Sequence, residues 1–354
     1  GVRIEDVLGI QPGRDPNRVV IIGGHIDSRV TDIMDSTSDA PGANDDASGV
    51  AVVIEAARLL SKKKFDATIV YAVFSGEEQG LFGGALLADT AKARGWRVTA
   101  MLNNDIVGNS IGQGGVKDAN RVRVFSEGIR ASEDLAQQMG RRAIGGEDDG
   151  PSRALAKAID GVAAKLFGGS GPGGSGPAGF DVVLDQRPDR FGRGGDHEPF
   201  LKLGYPAVRF SVGAENWDAQ HQDLRTGVSA ADRGTVYGDT IDRMDFTYLA
   251  HVAAINIATI DRLADAPAAP DEVALIGDLS RDTKVSWHAV PGAAGYRVHW
   301  RRNDGTSDWT QSLDVATTTT TLKQVPVDDH FIGVSALAKD GAESLVTFGG
   351  RARR

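Results

Sequence analysis

A chain of 354 residues with 48 acidic and 39 basic side chains carries a net charge of −9, which argues against a nucleic-acid partner, because such proteins need a basic surface. It has no cysteine, so disulfides and thiolate metal sites are excluded and any metal must be held by His, Asp and Glu. No run of about 18 apolar residues exists, so no membrane span is encoded, and the length points to one large domain plus a small one.

In chain order, Val19 to Gly23 (VVIIG) has the pattern of a short buried strand. Ser48 to Leu60 has helical periodicity, with Ser48 as the expected N-cap. Ala67 to Phe74 reads as a second strand, a helix is predicted over 80–93, and Val98 to Asn103 is a third strand running into Asn104-Asp105. Strands alternating with helices predict an α/β domain with a three-layer αβα sheet. Two further helices are predicted near 127–140 and 151–167, and Gly168 to Gly179, rich in Gly, Pro and Ser, reads as a mobile loop. Strands return at Phe180 to Leu184 and Ala207 to Val212, and Met244 to Leu263 forms a long amphipathic helix.

The large domain is therefore expected over 1–263, a Pro/Ala linker over 264–270, and a small all-β sandwich over 271–354, where short strands alternate with turns. Trp287 followed by Tyr296-Arg297-Val298-His299-Trp300 resembles the early strands of fibronectin type III domains. Where those domains carry a late-strand Tyr, this chain has Phe331.

Five potential metal ligands lie at or just after the predicted strands: His25, Asp45, Glu78, Asp105 and, later, His221. In an open α/β sheet, ligands bind at the carboxyl ends of strands. Two imidazoles and three carboxylates can hold two divalent ions about 3.5–4 Å apart with one carboxylate shared, a donor set that suits zinc and accepts manganese or cobalt. Glu77 stands beside a ligand and is free to handle protons, and Asp27 is placed to fix the tautomer of His25. Asp46, before Ser48, also has the place of a helix-capping carboxylate.

GGHIDS, PGANDDASG, FSGEEQG, NND and the late His221 follow the order seen in the zinc exopeptidase family that includes bacterial leucine aminopeptidases. The resemblance covers roughly residues 1–262. It implies a mixed sheet of the zinc-dependent exopeptidase type. It also implies one Zn2+ on His25 and Asp105, a second on Glu78 and His221, and Asp45 bridging the two. Glu77 becomes the general base and acid, Asp27 orients His25, and the peptide after Asp45 is cis. By the same resemblance, the chain hydrolyses peptides from their N-terminus. Carboxypeptidase, glutaminyl cyclase and non-catalytic receptor relatives of the same fold are the alternatives. His197, in Gly-Asp-His-Glu-Pro-Phe, resembles the family's Ser-Asp-His segment. With Phe191, Tyr205 and Trp217 it is expected to line the substrate site, while Arg187, Arg190 and Arg193 offer an alternative preference for acidic substrates. A start at Gly1 and zero cysteine lean toward a secreted or periplasmic protein whose signal or pro-segment is not in this chain. No partner for the sandwich can be named.

Overall fold

The computed structural model describes residues 3–168, 179–305 and 309–352; most of the Gly/Pro/Ser-rich stretch read as a loop, residues 169–178, lies outside the described residues. Seven strands form the main sheet: β1 (Val7–Gln11), β2 (Asp15–His25), β3 (Ala67–Phe74), β4 (Arg97–Asn104), β5 (Arg121–Phe125), β6 (Asp181–Asp185) and β7 (Ala207–Val212), in the order β1-β3-β2-β4-β7-β5-β6. β3, β2, β4 and β7 are mutually parallel, β1 is antiparallel at one edge, and β5 with β6 runs antiparallel to β7. The sheet is thus mixed.

The unbroken apolar run of β2 follows from burial on both faces. Side chains alternate across a strand, so Val20 and Ile22 enter one core while Val19 and Ile21 enter the other. The first core is closed by α1 (Ala47–Leu60), α4 (Pro151–Phe167) and α6 (Phe246–Asp265), the second by α2 (Phe82–Ala93) and the short α5 (Glu198–Lys202). This is a three-layer αβα body. No helix among the described residues is long and apolar enough to cross a membrane.

Several boundaries differ from the sequence reading for local reasons. The N-cap of α1 is Asp46, whose side chain accepts from Gly49 N; Ser48 instead donates to the Asn44 carbonyl. The helix expected near 127–140 is α3 (Leu135–Ala143), started by a capping box between Asp134 and Gln137. β1 and β5 are additional to the expected strands: both are short, β1 is interrupted by Gly9, and β5 alternates with Arg121 and Arg123.

Residues 126–133 before α3 carry a buried carboxyl, Glu127, which accepts from Ala131 N at 3.0 Å. Burial pushes its pKa up to about 7. The folded chain therefore holds a proton that the unfolded chain releases above about pH 4.5. This contribution to stability is fully present at low pH and is lost as pH rises from about 4.5 to 7. Glu127→Gln should flatten that slope, by an amount on the order of 3 kcal/mol, in denaturant midpoints measured across the window.

β8 (Arg225–Thr226) and β9 (Val236–Tyr237) pair as a small antiparallel ribbon before α6, and after α6 the chain forms two four-stranded sheets. The first has the order β14 (Thr319–Leu322), β11 (Thr283–Ser286), β10 (Ala274–Ile276), β17 (Gly350–Arg351). The second has the order β13 (Gln311–Val315), β12 (Gly295–Arg302), β15 (His330–Leu337), β16 (Thr347–Phe348). Leu275 and Val285 from one sheet share a core with Val298, Ile332 and Val334 from the other, with Trp287 edge-on to Tyr296. At the late-strand position Phe331 has no hydroxyl to anchor a corner. It packs on Phe348 and under the Arg301 guanidinium, where a Cβ at Gly145 would collide with its ring. Arg301 in turn meets Asp149 at 2.7 Å with both side chains buried, and Leu345 enters the core of the αβα body. The β layers are therefore packed against the body.

Candidate metal centre

Parallel strands that share register end at one edge. Gly23 pairs with Asn103 and His25 with Phe74, so the residues that follow β2, β3 and β4 emerge side by side. His25 closes β2, Glu77 and Glu78 follow β3, and Asp105 follows β4. Asp45 reaches the same edge from the loop before α1. That loop lies close because residue 49 has no side chain: a Cβ at Gly49 would stand 2.1 Å from the Asn104 carbonyl oxygen. Gly49→Ala must push the start of α1 off the sheet, an expected cost of about 1–3 kcal/mol in denaturant midpoint, together with weaker metal retention on dialysis.

Asp45 stands between the two histidines. Its Oδ1 is 3.1 Å from His25 Nε2 and its Oδ2 is 3.0 Å from His221 Nε2. His25 Nε2 is also 3.9 Å from Asp105 Oδ2 and 4.0 Å from Glu77 Oε2, while His221 Nε2 is 3.1 Å from Glu78 Oε1. Two groups result, His25–Glu77–Asp105 and Asp45–Glu78–His221, each compact enough to hold one ion. All five expected ligands and Glu77 are thus brought together. The peptides Asp45–Asp46 and Asp105–Ile106 are both cis.

The donor set fits zinc. It is nitrogen and oxygen only, and bond lengths of about 2.0–2.1 Å in a tetrahedral shell put neighbouring ligand atoms about 3.3 Å apart. The contacts of His25 and His221 with Asp45, and of His221 with Glu78, have that spacing. Glu78 Oε1 is buried without an aligned hydrogen bond, although His221 Nε2 is 3.1 Å away. Ligands that face a common ion stand this way.

Groups around the cluster hold it in place. His25 Nδ1 donates to the Asp27 backbone carbonyl at 2.9 Å, which leaves Nε2 as the ring atom that faces Asp45. This corrects the expected role of Asp27: its main chain, not its carboxylate, orients His25. The carboxylate lies 3.8 Å from Nδ1 and accepts the amides of Glu77 (3.2 Å) and Glu78 (3.1 Å), one on each oxygen. Asp46 accepts His25 N at 3.0 Å while capping α1. Three further residues escaped the sequence reading. Asp239 accepts the amides of Asn44 and Asp45 at 2.9 and 2.7 Å. Gln220 Nε2 donates to Asp45 Oδ2 at 2.8 Å. Arg209, fully buried, puts Nη2 2.7 Å from Asp105 Oδ1 and Nη1 3.1 Å from Asp189. Arg209 had a signal, a lone charge within the apolar strand AVRFSV, because a buried charge needs a partner.

Carboxylates outnumber cations here, and the protonation states show the strain. Burial opposes ionisation of Asp45, yet hydrogen bonds from His221 and His25 outweigh it and hold that carboxyl well below the usual range. Burial, reinforced by Asp105, pushes Glu77 up to about 9. His221 is held up at about 9, burial notwithstanding, by Asp45 and Glu78. The imidazolium protons supply the positive charge that a bound cation would supply, so metal binding should release protons.

The expected substrate residues fare unevenly. His197 is fully buried, with Nε2 donating to the Pro188 carbonyl at 2.7 Å, so it supports the 186–196 segment and lines no open site. Tyr205 precedes β7, which runs parallel to β4, so it sits at the opposite end of the sheet from Asp105, packed on Phe200. Phe191 and Trp217 are exposed. The segments that carry them are tied together where Arg190 and Arg193 reach Glu215, at 3.4 and 2.7 Å. Both guanidinium groups are engaged there, on a Glu215 that Arg123 also holds, while Arg187 stacks on Phe191.

Comparison with known proteins gives a consistent family signal. Residues 6–143 match the model of peptidase family M28. The chain is 42% identical over 351 residues to a probable zinc metalloprotease of Leptosphaeria maculans, covering 98% of this chain and 78% of that protein. It is 42% identical over 353 residues to one of Pyrenophora tritici-repentis, covering 98% and 70%. Among solved structures, the aminopeptidase from Aneurinibacillus sp. strain AM-1 is 24% identical with a TM-score of 0.46. That match covers 73% of this chain and 48% of that one, so the chain spans about half its length.

Proposed function

Since this chain belongs to peptidase family M28, we propose that it is a zinc-dependent aminopeptidase working with two ions. The observation that carries this is Asp45, whose two oxygens face two histidines while Glu77, Glu78 and Asp105 close around them. His25 and Asp105 would hold one zinc, Glu78 and His221 the other, with Asp45 between. When bound, zinc supplies a Lewis acid for the scissile carbonyl and lowers the pKa of water from 15.7 to about 7.

The chain's own groups do the rest. Glu77 accepts a proton from the attacking water at Oε2 and delivers it to the departing amine nitrogen. Asp27, by gripping the amides of Glu77 and Glu78, sets where both carboxylates stand. Two zinc ions would be matched by the four carboxylates of Asp45, Glu77, Glu78 and Asp105, so the centre would carry no excess positive charge to draw a C-terminal carboxylate. Such a carboxylate would need a free cation, and Arg190 and Arg193 are both engaged with Glu215, which leaves Arg187, stacked on Phe191, as the candidate. For the C-terminal layers, the two strand orders, with Trp287 against Tyr296, support a fibronectin type III-like sandwich.

The test joins metal analysis to substrate choice. Two zinc ions per chain are expected, with chelator-sensitive release of leucine from leucine p-nitroanilide and none from the N-acetylated analogue. Release from N-blocked peptides at their C-terminus would overturn the aminopeptidase reading, and one ion per chain would overturn the two-ion reading.

A further inference from the structure

The opposite end of the sheet holds a cavity of about 400 Å3, unconnected with the metal centre. Arg18 and Arg97, at the start of β2 and β4, and Pro206, just before β7, form its floor. At about 3.3 Å per residue along β4, it lies roughly 25 Å from Asp105. Its far wall is Leu345 to Phe348 from the C-terminal layers, so it opens at the junction between the two parts of the chain.

Four arginines line it: Arg18, Arg97, Arg130 and Arg141. Two of them are neutralised in place. Arg97 pairs with Asp15 at 2.6 Å, and Arg141 grips Glu133 with two of its nitrogens. The other two are not. Arg18 is buried and donates only to backbone, the carbonyls of Ala266 at 2.6 Å and Leu263 at 3.4 Å. The acids that act on it from a distance are each bound to another cation: Asp15 to Arg97, Asp66 to Arg14 and Asp265 to Lys63. Arg130 donates to the Gly204 carbonyl, and the acids that act on it from a distance are Glu133, which Arg141 grips, and Glu127, which burial pushes toward its protonated form. Among the described residues, no carboxylate lies within ion-pair distance of Arg18 or Arg130. The one carboxylate in the wall, Asp149, is already held by Lys157 and Arg301. Apart from Thr99 and Thr347 the remaining lining is apolar, with Ala154, Pro151, Leu345 and Phe348 among it.

We propose that this cavity binds a small amphipathic monocarboxylate, with its carboxylate on Arg18 and Arg130 and its apolar body against Ala154, Leu345 and Phe348. Guanidinium groups suit a planar carboxylate, and a mostly apolar cavity of this size suits a small organic body. A cationic head finds no free carboxylate there. The chemistry is shared by an aliphatic acid and by the C-terminus of a peptide ending in an apolar residue. A ligand touching both the body and the C-terminal layers stabilises their junction.

Calorimetric titration of the zinc-loaded protein with octanoate, N-acetyl-leucine and octylamine tests this, alongside thermal melts. Saturable binding of at least one carboxylate, a midpoint that rises with its concentration, and no binding of octylamine are expected. The tighter of the two acids identifies the source. Arg130→Gln should weaken binding about tenfold or more, the worth of a charge-assisted hydrogen bond, and Ala268→Phe, which fills the cavity from its linker wall, should abolish it. Both variants should still release leucine at the parent rate, which shows that they fold. Carboxylate binding that survives both substitutions would place the ligand elsewhere, at the metal centre for instance, and overturn the proposal, as would no saturable binding or equal binding of octylamine.

Discussion

Glu77→Gln is expected to keep its zinc and its stability while losing about 10²–10⁴-fold in kcat, the usual worth of a positioned general acid–base. Glutamine has the same shape and can still accept from a neighbour, but it neither takes nor returns a proton. In the metal-free protein, burial and the charge of Asp105 hold Glu77 protonated up to about pH 9, and so unable to act as a base at neutral pH. A neighbouring cation favours the ionised form and reverses that. Activity and metal occupancy should therefore rise together in a zinc titration of the parent enzyme. Metal analysis of the variant separates two roles. Glu77 Oε2 is 4.0 Å from His25 Nε2, close enough to belong to that ion's surroundings. Loss of one zinc along with activity would make Glu77 a ligand and overturn its assignment as the base; full activity would dismiss the assignment altogether.

Arg209→Met should cost about 3–5 kcal/mol of stability, because it strands the buried carboxylate of Asp105 and leaves Asp189 with Arg190 as its cation. A second effect follows from position. Arg209 also donates through Nε to the Asp105 main-chain carbonyl, so it sets both the carboxylate and the turn that presents it. Losing such an outer partner typically lowers metal affinity by about 10–100-fold. Denaturant midpoints in excess chelator read the first effect, and competition with a zinc indicator reads the second. Arg209→Lys keeps the charge without the planar fork. It should recover much of the stability but not the affinity. A midpoint within about 1 kcal/mol of the parent for Arg209→Met would show that Asp105 and Asp189 do not depend on this cation.

Much of the centre could be read from sequence because its ligands are local events at strand ends. His25, the Glu77-Glu78 pair and Asp105 each follow an apolar run, and adjacent parallel strands bring such positions to one edge. Which group of a residue does the work was not readable in the same way. Asp27 lies two residues from His25 whether its carboxylate or its carbonyl faces the ring, and only the folded turn shows that the carbonyl does. Tyr205 illustrates a second limit. An aromatic beside a strand looks like a pocket wall until the strand's direction is known, and β7 points that end away from the centre. His197 shows a third, since burial depends on what the 186–196 segment packs against, and that partner is remote in sequence.

The alternation of apolar strands and helices, the absence of thiols, and the strand-end carboxylates and imidazoles were properties of the chain itself. They were enough to imply an αβα body with a zinc-binding donor set, because strand periodicity and ligand chemistry are local. Folding alone decided that Asp239, Gln220 and Arg209 hold the ligands from behind and that the C-terminal layers lie against the body. Each of these joins residues far apart along the chain, through contacts whose energies exist only once the core has closed.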